Sequence, residues 1–304
     1  MISAPEVMGV EERDRARLIE WLDDGLRGGR RGRLEAEYPV SLTPSEIATH
    51  RVVRDGDELL SHGMYHVVDA HAPMPVRVGM IGLVYTDPGA RGRGLARLCI
   101  EACCEALEYE GATIALLWSD KPDFYARLDF HPFGEETRWI INAEICRDAR
   151  RALGEASAAQ DVLLDAPQES DWPDLEKLYS SKRFRVERAP GALAALAAAP
   201  ETVCVIARRG GRAVAYAALG RGDDFQGVIH EWAGSPEDVL ACFEGLCLGW
   251  GPLLVHAGPE PGPIGPALER SGAGVSEDSF ALARILEPKK RPPASFYLWG
   301  FDSI

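Results

Sequence analysis

The sequence predicts an α/β fold built as two tandem domains, and three observations carry that expectation. The chain has 304 residues, and at roughly 100–200 residues per domain this length calls for two. Apolar patterns of helical period alternate with short apolar runs of strand length. The order helix, helix, three strands, helix, strand, helix, strand occurs once in each half, although no residue-level identity links the copies. The expected units are residues 1–155, residues 160–287, and a Pro-rich linker with an apolar tail over 288–304.

In the first half, Leu18, Trp21, Leu22 and Leu26 recur at helical spacing over about 11–27. The Gly/Arg stretch Gly28 to Arg33 breaks that helix. Thr43-Pro44-Ser45-Glu46 reads as the capped, acidic start of a short second helix. Arg51 to Arg54, Gly56 and Leu59 to Asp69 read as a hairpin, and a strand follows at about 76–86. A long helix over about 93–110 carries Leu95, Leu98, Cys99 and Ala102 on one face, and Gly111 ends it. Thr113 to Trp118 reads as a buried strand. A short helix carries Phe124, Tyr125 and Leu128, and 131–146 reads as extended.

In the second half, Val162 to Leu164 reads as a strand, and 171–181 and 190–199 as helices. Three strands follow at 203–207, 213–219 and 228–233, with Arg209-Gly210-Gly211-Arg212 as a hairpin turn. Ser235 caps a helix over 236–248. A strand at 253–256, a helix at 264–271 and a strand at 279–286 complete the copy. The chain then ends on Phe296, Tyr297, Leu298, Trp299 and Phe301. Termini are normally polar and frayed, so this one is expected to be tied into a sheet edge or a cleft.

Composition excludes several classes. The apolar fraction is 46% and the charged fraction 26%, ordinary for a globular chain. The longest strongly apolar run, Gly79 to Tyr85, is far short of the roughly 20 residues of a membrane helix. Glu11, Glu12, Arg13 and Asp14 follow the N-terminus too closely for a signal peptide. A soluble, cytoplasmic protein is expected. The net charge of −14 is spread over both halves, which disfavours nucleic-acid binding. Seven cysteines without C-x-x-C spacing read as reduced, small apolar residues. His62 and His66 have the spacing of helical zinc motifs, but Gly63 and Val67-Val68 mark a strand. No metal is expected.

One segment carries chemistry. Leu83 to Ala96 runs from a strand through a Gly/Arg turn into the long helix. A helix N-terminus presents unpaired N–H groups and about half a positive charge. Gly92 and Gly94 let the backbone close on a phosphate, and Arg91 and Arg93 add cationic donors. A P-loop would need G-x-x-x-x-G-K-[ST], which is absent. A dinucleotide fingerprint fails at Arg97. Arg91, Gly94 and Ala96 satisfy R-x-x-G-x-A.

That pattern resembles the pyrophosphate loop of the GCN5-related N-acetyltransferases. Downstream, Phe124-Tyr125-Ala126-Arg127-Leu128-Asp129-Phe130 is similar to the family's Y-x-x-x-G-F, with Asp129 where the family has Gly. The overall plan looks like the tandem acetyltransferases of the enhanced-intracellular-survival type, without their extra C-terminal domain. The resemblance implies two acetyltransferase-like domains, each a mixed, mainly antiparallel sheet flanked by helices. It implies that Val84, Tyr85 and Thr86 bind the pantetheine arm of acetyl-CoA. Gly92, Arg93, Gly94, Leu95, Ala96 and Arg97, together with Arg91, would cradle the pyrophosphate, and Tyr125 would act as general acid. In the same proteins, and in N-myristoyltransferases, the chain's own C-terminal carboxylate reaches the active site, which makes Ile304 a candidate base. Asp120, Glu37, His62, His66, Asp69 and a water chain are the others.

The expected activity is transfer of an acetyl group from acetyl-CoA, as co-substrate, to a primary amine on a small molecule or protein. Direct attack needs no enzyme nucleophile. Two rivals stay open: a non-catalytic CoA-binding sensor, and a nucleotide-binding enzyme using the Gly/Arg loop. The second half has no such loop. Its junction, His230-Glu231-Trp232-Ala233-Gly234-Ser235-Pro236, holds no arginine, so it is expected to serve as scaffold or substrate wall.

Overall fold

A computed structural model describes residues 6–72, 74–154, 162–259, 261–287 and 296–304. The first half contains β1 (Val7–Gly9), α1 (Arg15–Leu26), α2 (Arg33–Glu37), β2 (His50–Asp55), β3 (Glu58–His71), β4 (Pro75–Thr86), α3 (Leu95–Tyr109), β5 (Ile114–Leu117), α4 (Pro122–Ala126), β6 (His131–Phe133), β7 (Glu136–Ile141) and α5 (Ala143–Leu153). The second contains β8 (Leu163–Asp165), α6 (Trp172–Ser180), β9 (Arg185–Val186), α7 (Ala192–Ala197), β10 (Val203–Arg209), β11 (Arg212–Leu219), β12 (Val228–Gly234), α8 (Pro236–Trp250), β13 (Leu253–Ala257), α9 (Ile264–Arg270), β14 (Gly274–Asp278) and β15 (Ala281–Ile285). Both the 155–160 boundary and the linker at 288–295 lie outside the described residues. Among the described residues no helix is long and apolar enough to cross a membrane.

The elements form two mixed, mainly antiparallel sheets, as expected of the fold class. The first has the order β1-β2-β3-β4-β5-β15-β6, with β9 added on β3, and the second β14-β7-β13-β12-β11-β10-β8. The halves exchange strands. β7 leaves the first half to pair with β13 and β14 of the second sheet. β15 returns from the second half to lie between β5 and β6. The two crossings meet where Phe280 N donates to Gly134 O at 3.4 Å. Gly134 has φ +70°, and a Cβ there would stand 3.1 Å from the Phe280 Cβ, so glycine suits both its backbone and its neighbours.

Local expectations differ from the structure at three places. The short second helix is α2, inside the Gly/Arg stretch, while Thr43 to Glu46 forms turns ahead of a single 3-10 turn at Ile47–Thr49. Its formation there follows from tertiary anchoring: both Asp23 carboxylate oxygens accept backbone N–H groups, from Gly32 and Leu34. The extended reading of 131–146 ends at Ile141, where Asn142 caps α5 by accepting from Ile145 N at 2.9 Å. The strand expected over 279–286 is β15, and just ahead of it the chain forms a further, unexpected strand, β14, which belongs to the other sheet.

β4 and β5 run parallel but pair only from Val78↔Ile114 to Met80↔Leu116. Beyond Met80 they splay, so the β5-facing edge of β4 is open from Ile81 onward. On its other edge β4 stays paired with β3, through an irregularity between His62 and Met64. There Leu83 takes φ +50°, a strained value for a branched residue. α3 backs this region with Leu95, Cys99, Ile100, Cys103, Cys104 and Leu107 buried along one face. Gly79 permits the approach, since a Cβ there would clash with the Leu107 side chain.

Phe296, Tyr297, Leu298, Trp299 and Phe301 are all buried, and at ~1.5–3 kcal/mol per large apolar side chain their burial anchors the tail firmly. Among its described residues, 296–304, the tail forms no edge strand. Phe296 to Trp299 pack into a core shared by both sheets, and a 3-10 turn follows at Gly300–Asp302.

Candidate active site

The Gly/Arg segment opens α3 as expected. Gly92 and Gly94 both have φ +77°, and a Cβ at either would meet nothing within 4 Å. Their requirement is therefore backbone conformation together with an open approach. Arg91 donates from Nε to Thr86 O at 3.2 Å, which ties the loop back to the end of β4. A groove of about 710 Å³ runs along this surface. Val84, Tyr85, Thr86, Arg91, Gly92, Gly94, Leu95, Ala96 and Arg97 line it, with Tyr125 at one end. Arg93 is exposed and stands outside that lining. Gly25 of α1 closes over the groove. A Cβ there would fall 2.3 Å from the Tyr85 ring.

A second cavity of about 580 Å³ adjoins the groove, sharing Leu26, Val84, Lys121 and Tyr125 with it. It runs between the two sheets and reaches Glu136, His230, His256 and Tyr297. Tyr125 is buried on α4 between Phe124 and Phe130. Desolvation holds its hydroxyl above the usual phenol range; a hydrogen bond with Ser119 opposes this and the charge of Asp120 adds to it. Tyr125 is therefore protonated at neutral pH and can donate. Asp129 has φ +64°, so it takes the left-handed conformation that glycine adopts more freely.

Ile304 lines the same cavity as Tyr125. A Cβ added to Gly82 would stand 2.9 Å from the carbonyl carbon and oxygen of Ile304. The chain's last residue therefore lies directly on β4, beside the irregularity at Leu83. A third cavity of about 390 Å³ opens on its other side, walled by Glu37, His66, Asp69 and Glu187.

The second half holds this tail in place through two arginines that the sequence did not single out. Arg221 is buried and donates to Gly300 O and, at 2.8 Å, to Ser303 O. Its guanidinium lies 4.3 Å from the centre of the Tyr38 ring. Arg188 donates to Asp302 at 2.7 Å and to both oxygens of Glu231 at 2.9 and 2.6 Å. Tyr179 donates to Asp302 and Tyr216 to Glu231, each at 2.7 Å. Burial holds the Asp302 carboxyl above the usual range, against the pull of Arg188.

Four of the remaining candidate bases are held by other partners, and Asp120 is not among them. Glu37 pairs with Arg27 and Arg33, His66 with Glu46 and Asp69 with Arg77. His62 contacts His50 and the Leu83 carbonyl. Asp120 lines the cavity beside Tyr125. In the second half, Ser235 caps α8, whose first turn carries Glu237 and Asp238, so the charge there is wrong for phosphate. Gly234 is packed against Ala215 instead of lying open.

Residues 37–133 match the model of an acetyltransferase (GNAT) domain. No curated protein matches the sequence. Among solved structures, a probable N-acyltransferase from Enterococcus faecalis superposes with a TM-score of 0.70 at 15% identity, covering 94% of this chain and 73% of that one. A GCN5-related N-acetyltransferase from Kribbella flavida gives 0.67 at 16%, covering 93% and 71%. Eis1 from Mycobacterium abscessus gives 0.60 at 13%, covering 93% and 74%. Residues 37–133 thus carry an acetyltransferase (GNAT) domain, and the chain as a whole shares its two-sheet fold with those structures.

Proposed function

We propose that this protein transfers the acetyl group of acetyl-CoA to a primary amine by direct attack, and that the acceptor enters through the cavities flanking Ile304. One observation carries the reading: Ile304 and Tyr125 wall a single cavity, and the Arg91–Arg97 groove opens onto it at Val84 and Tyr125. The N–H groups that begin α3 and the guanidinium of Arg91 suit a pyrophosphate. The open edge of β4 over Val84, Tyr85 and Thr86 offers backbone groups to an amide-bearing arm, as an added strand would use them. The Ile304 carboxylate takes a proton from the ammonium or the attacking amine. As the new C–N bond forms and the C–S bond breaks, the Tyr125 hydroxyl gives its proton to the leaving sulfur. The carboxylates of Asp120, Glu136 and Asp224 along the cavity suit a cationic acceptor. Thiol release from acetyl-CoA over a panel of amines, compared with Tyr125→Phe, tests the assignment. Tight acetyl-CoA binding without turnover on any amine would point instead to a sensor.

A further inference from the structure

Two buried histidines stand behind the irregularity in β4. His50 and His62 are both fully buried, and they form a row of three polar contacts. His50 Nε2 lies 3.3 Å from Ser41 O, His50 Nδ1 lies 2.8 Å from His62 Nε2, and His62 Nδ1 lies 2.7 Å from Leu83 O. The row begins and ends on a carbonyl oxygen, which can only accept. Three hydrogen bonds would need three ring protons.

Burial pushes His50 down to about 4 and His62 down to about 3. Glu46, Arg51 and Arg15 act on His50, and His50 acts on His62. Both rings are neutral at pH 7, so the pair carries two protons for three contacts. The longest contact, at Ser41, is the one left without. The two shorter contacts then settle both tautomers: His62 donates from Nδ1 to Leu83 O, and His50 donates from Nδ1 to His62 Nε2.

This bond orients a peptide at the reacting centre. In a trans peptide the C=O and the following N–H point in opposite directions. The carbonyl of Leu83 is drawn toward His62 on β3, so the N–H of Val84 faces the other way, toward the edge that β5 has left open. Val84 lines both the groove and the cavity. We infer that His62 is a positioning residue, which ties down the Leu83 carbonyl and thereby aims the Val84 N–H at the thioester oxygen of the acyl donor. This rests on the acyl-transfer reading above. The positive φ of Leu83 is the local strain that this bond holds in place.

Histidine-selective ¹⁵N spectra of the wild-type protein at pH 7 test the tautomer directly. His62 should be neutral and protonated on Nδ1. A charged ring, or one protonated on Nε2, overturns the inference. Kinetics test the consequence. His62→Leu keeps volume but removes the donor, and kcat should fall about 100-fold, as on loss of one oxyanion donor. CoA affinity should hold, because the pyrophosphate loop is untouched. His62→Asn presents an amide N–H near the place of Nδ1 and should recover most of the lost kcat. A folded His62→Leu protein with wild-type kcat refutes the positioning role, and so does an Asn variant no better than Leu. If His62→Leu does not fold, the Asn variant and the spectra decide. The acid limb of the kcat profile should be the same in wild type and His62→Asn. A limb that disappears in His62→Asn means that His62 moves a proton instead, and the inference fails. A wild-type enzyme inactive on every amine refutes the acyl-transfer reading, and the tautomer then still decides whether His62 holds Leu83.

Discussion

Converting the C-terminal carboxylate of Ile304 to a carboxamide, or adding one glycine after it, should abolish most turnover while leaving the protein folded. Either change removes the proposed base from its place against Gly82. A positioned general base contributes about 10²–10⁴-fold, so kcat should fall by that range, equivalent to ~3–5 kcal/mol of barrier. The glycine extension also lacks room on the β4 side, where Ile304 already lies within 2.9 Å of a virtual Cβ on Gly82. The tail's anchors are untouched by either change. Phe296, Tyr297, Leu298, Trp299 and Phe301 stay buried, Arg221 still binds Gly300 and Ser303, and Arg188 still binds Asp302. The melting temperature should therefore move by less than about 3 °C. Gly82→Ala tests the same seat from the other side. Its methyl must displace the terminus, and kcat should drop while acetyl-CoA affinity holds. The assay is continuous thiol release at saturating acetyl-CoA, with melting followed in parallel. Wild-type turnover in the amidated or extended protein would refute the assignment of Ile304.

Three further outcomes follow from the geometry. Arg91→Ala should weaken acetyl-CoA binding about 10- to 100-fold by titration calorimetry, the worth of one charge-assisted hydrogen bond to phosphate. An unchanged affinity would remove Arg91 from the pyrophosphate site. Arg188→Met strands the buried carboxylates of Glu231 and Asp302 and should cost about 3–5 kcal/mol in denaturant unfolding. A loss below about 1 kcal/mol, the range of a surface pair, would show that Arg188 is not their main counter-charge. Acid should destabilise the fold through its buried histidines. Burial lowers His50 to about 4, and His62 and His230 to about 3, from 6.5. Below pH 6.5 the unfolded chain binds protons that the native rings refuse, so stability present above 6.5 is lost as pH falls toward those lowered values. By pH 5 the loss is about 2 kcal/mol per ring, and equal unfolding free energies at pH 7 and 5 would contradict neutral burial.

The Gly/Arg turn ahead of α3 was legible because its signals are local. Val84 to Arg97 is one continuous strand–turn–helix segment, and Gly92 and Gly94 announce left-handed backbone by having no side chain. Tyr125 stood out only through the resemblance of Phe124 to Phe130 to the family's Y-x-x-x-G-F pattern. Helix α5 was not legible, since 131–146 had been read as extended, and its buried face rests on packing against α8. Arg188 and Arg221 gave no signal either. An arginine near a strand end reads as solvated, and only contacts with residues far along the chain make these two into clamps.

The amino-acid sequence alone determined that this chain is α/β, that a glycine-rich turn joins one strand to the long helix α3, and that the apolar segment from Phe296 to Phe301 must be buried. Those properties follow from hydrophobic period, backbone freedom and composition, which act within a few residues. Tertiary structure alone decided that β7 and β15 exchange sheets, that the tail lies between them, and that Ile304 comes to rest on Gly82 in the cavity of Tyr125. A hydrophobic run specifies a strand but not its neighbour, and the place of a terminus is set by whichever distant surfaces bury it.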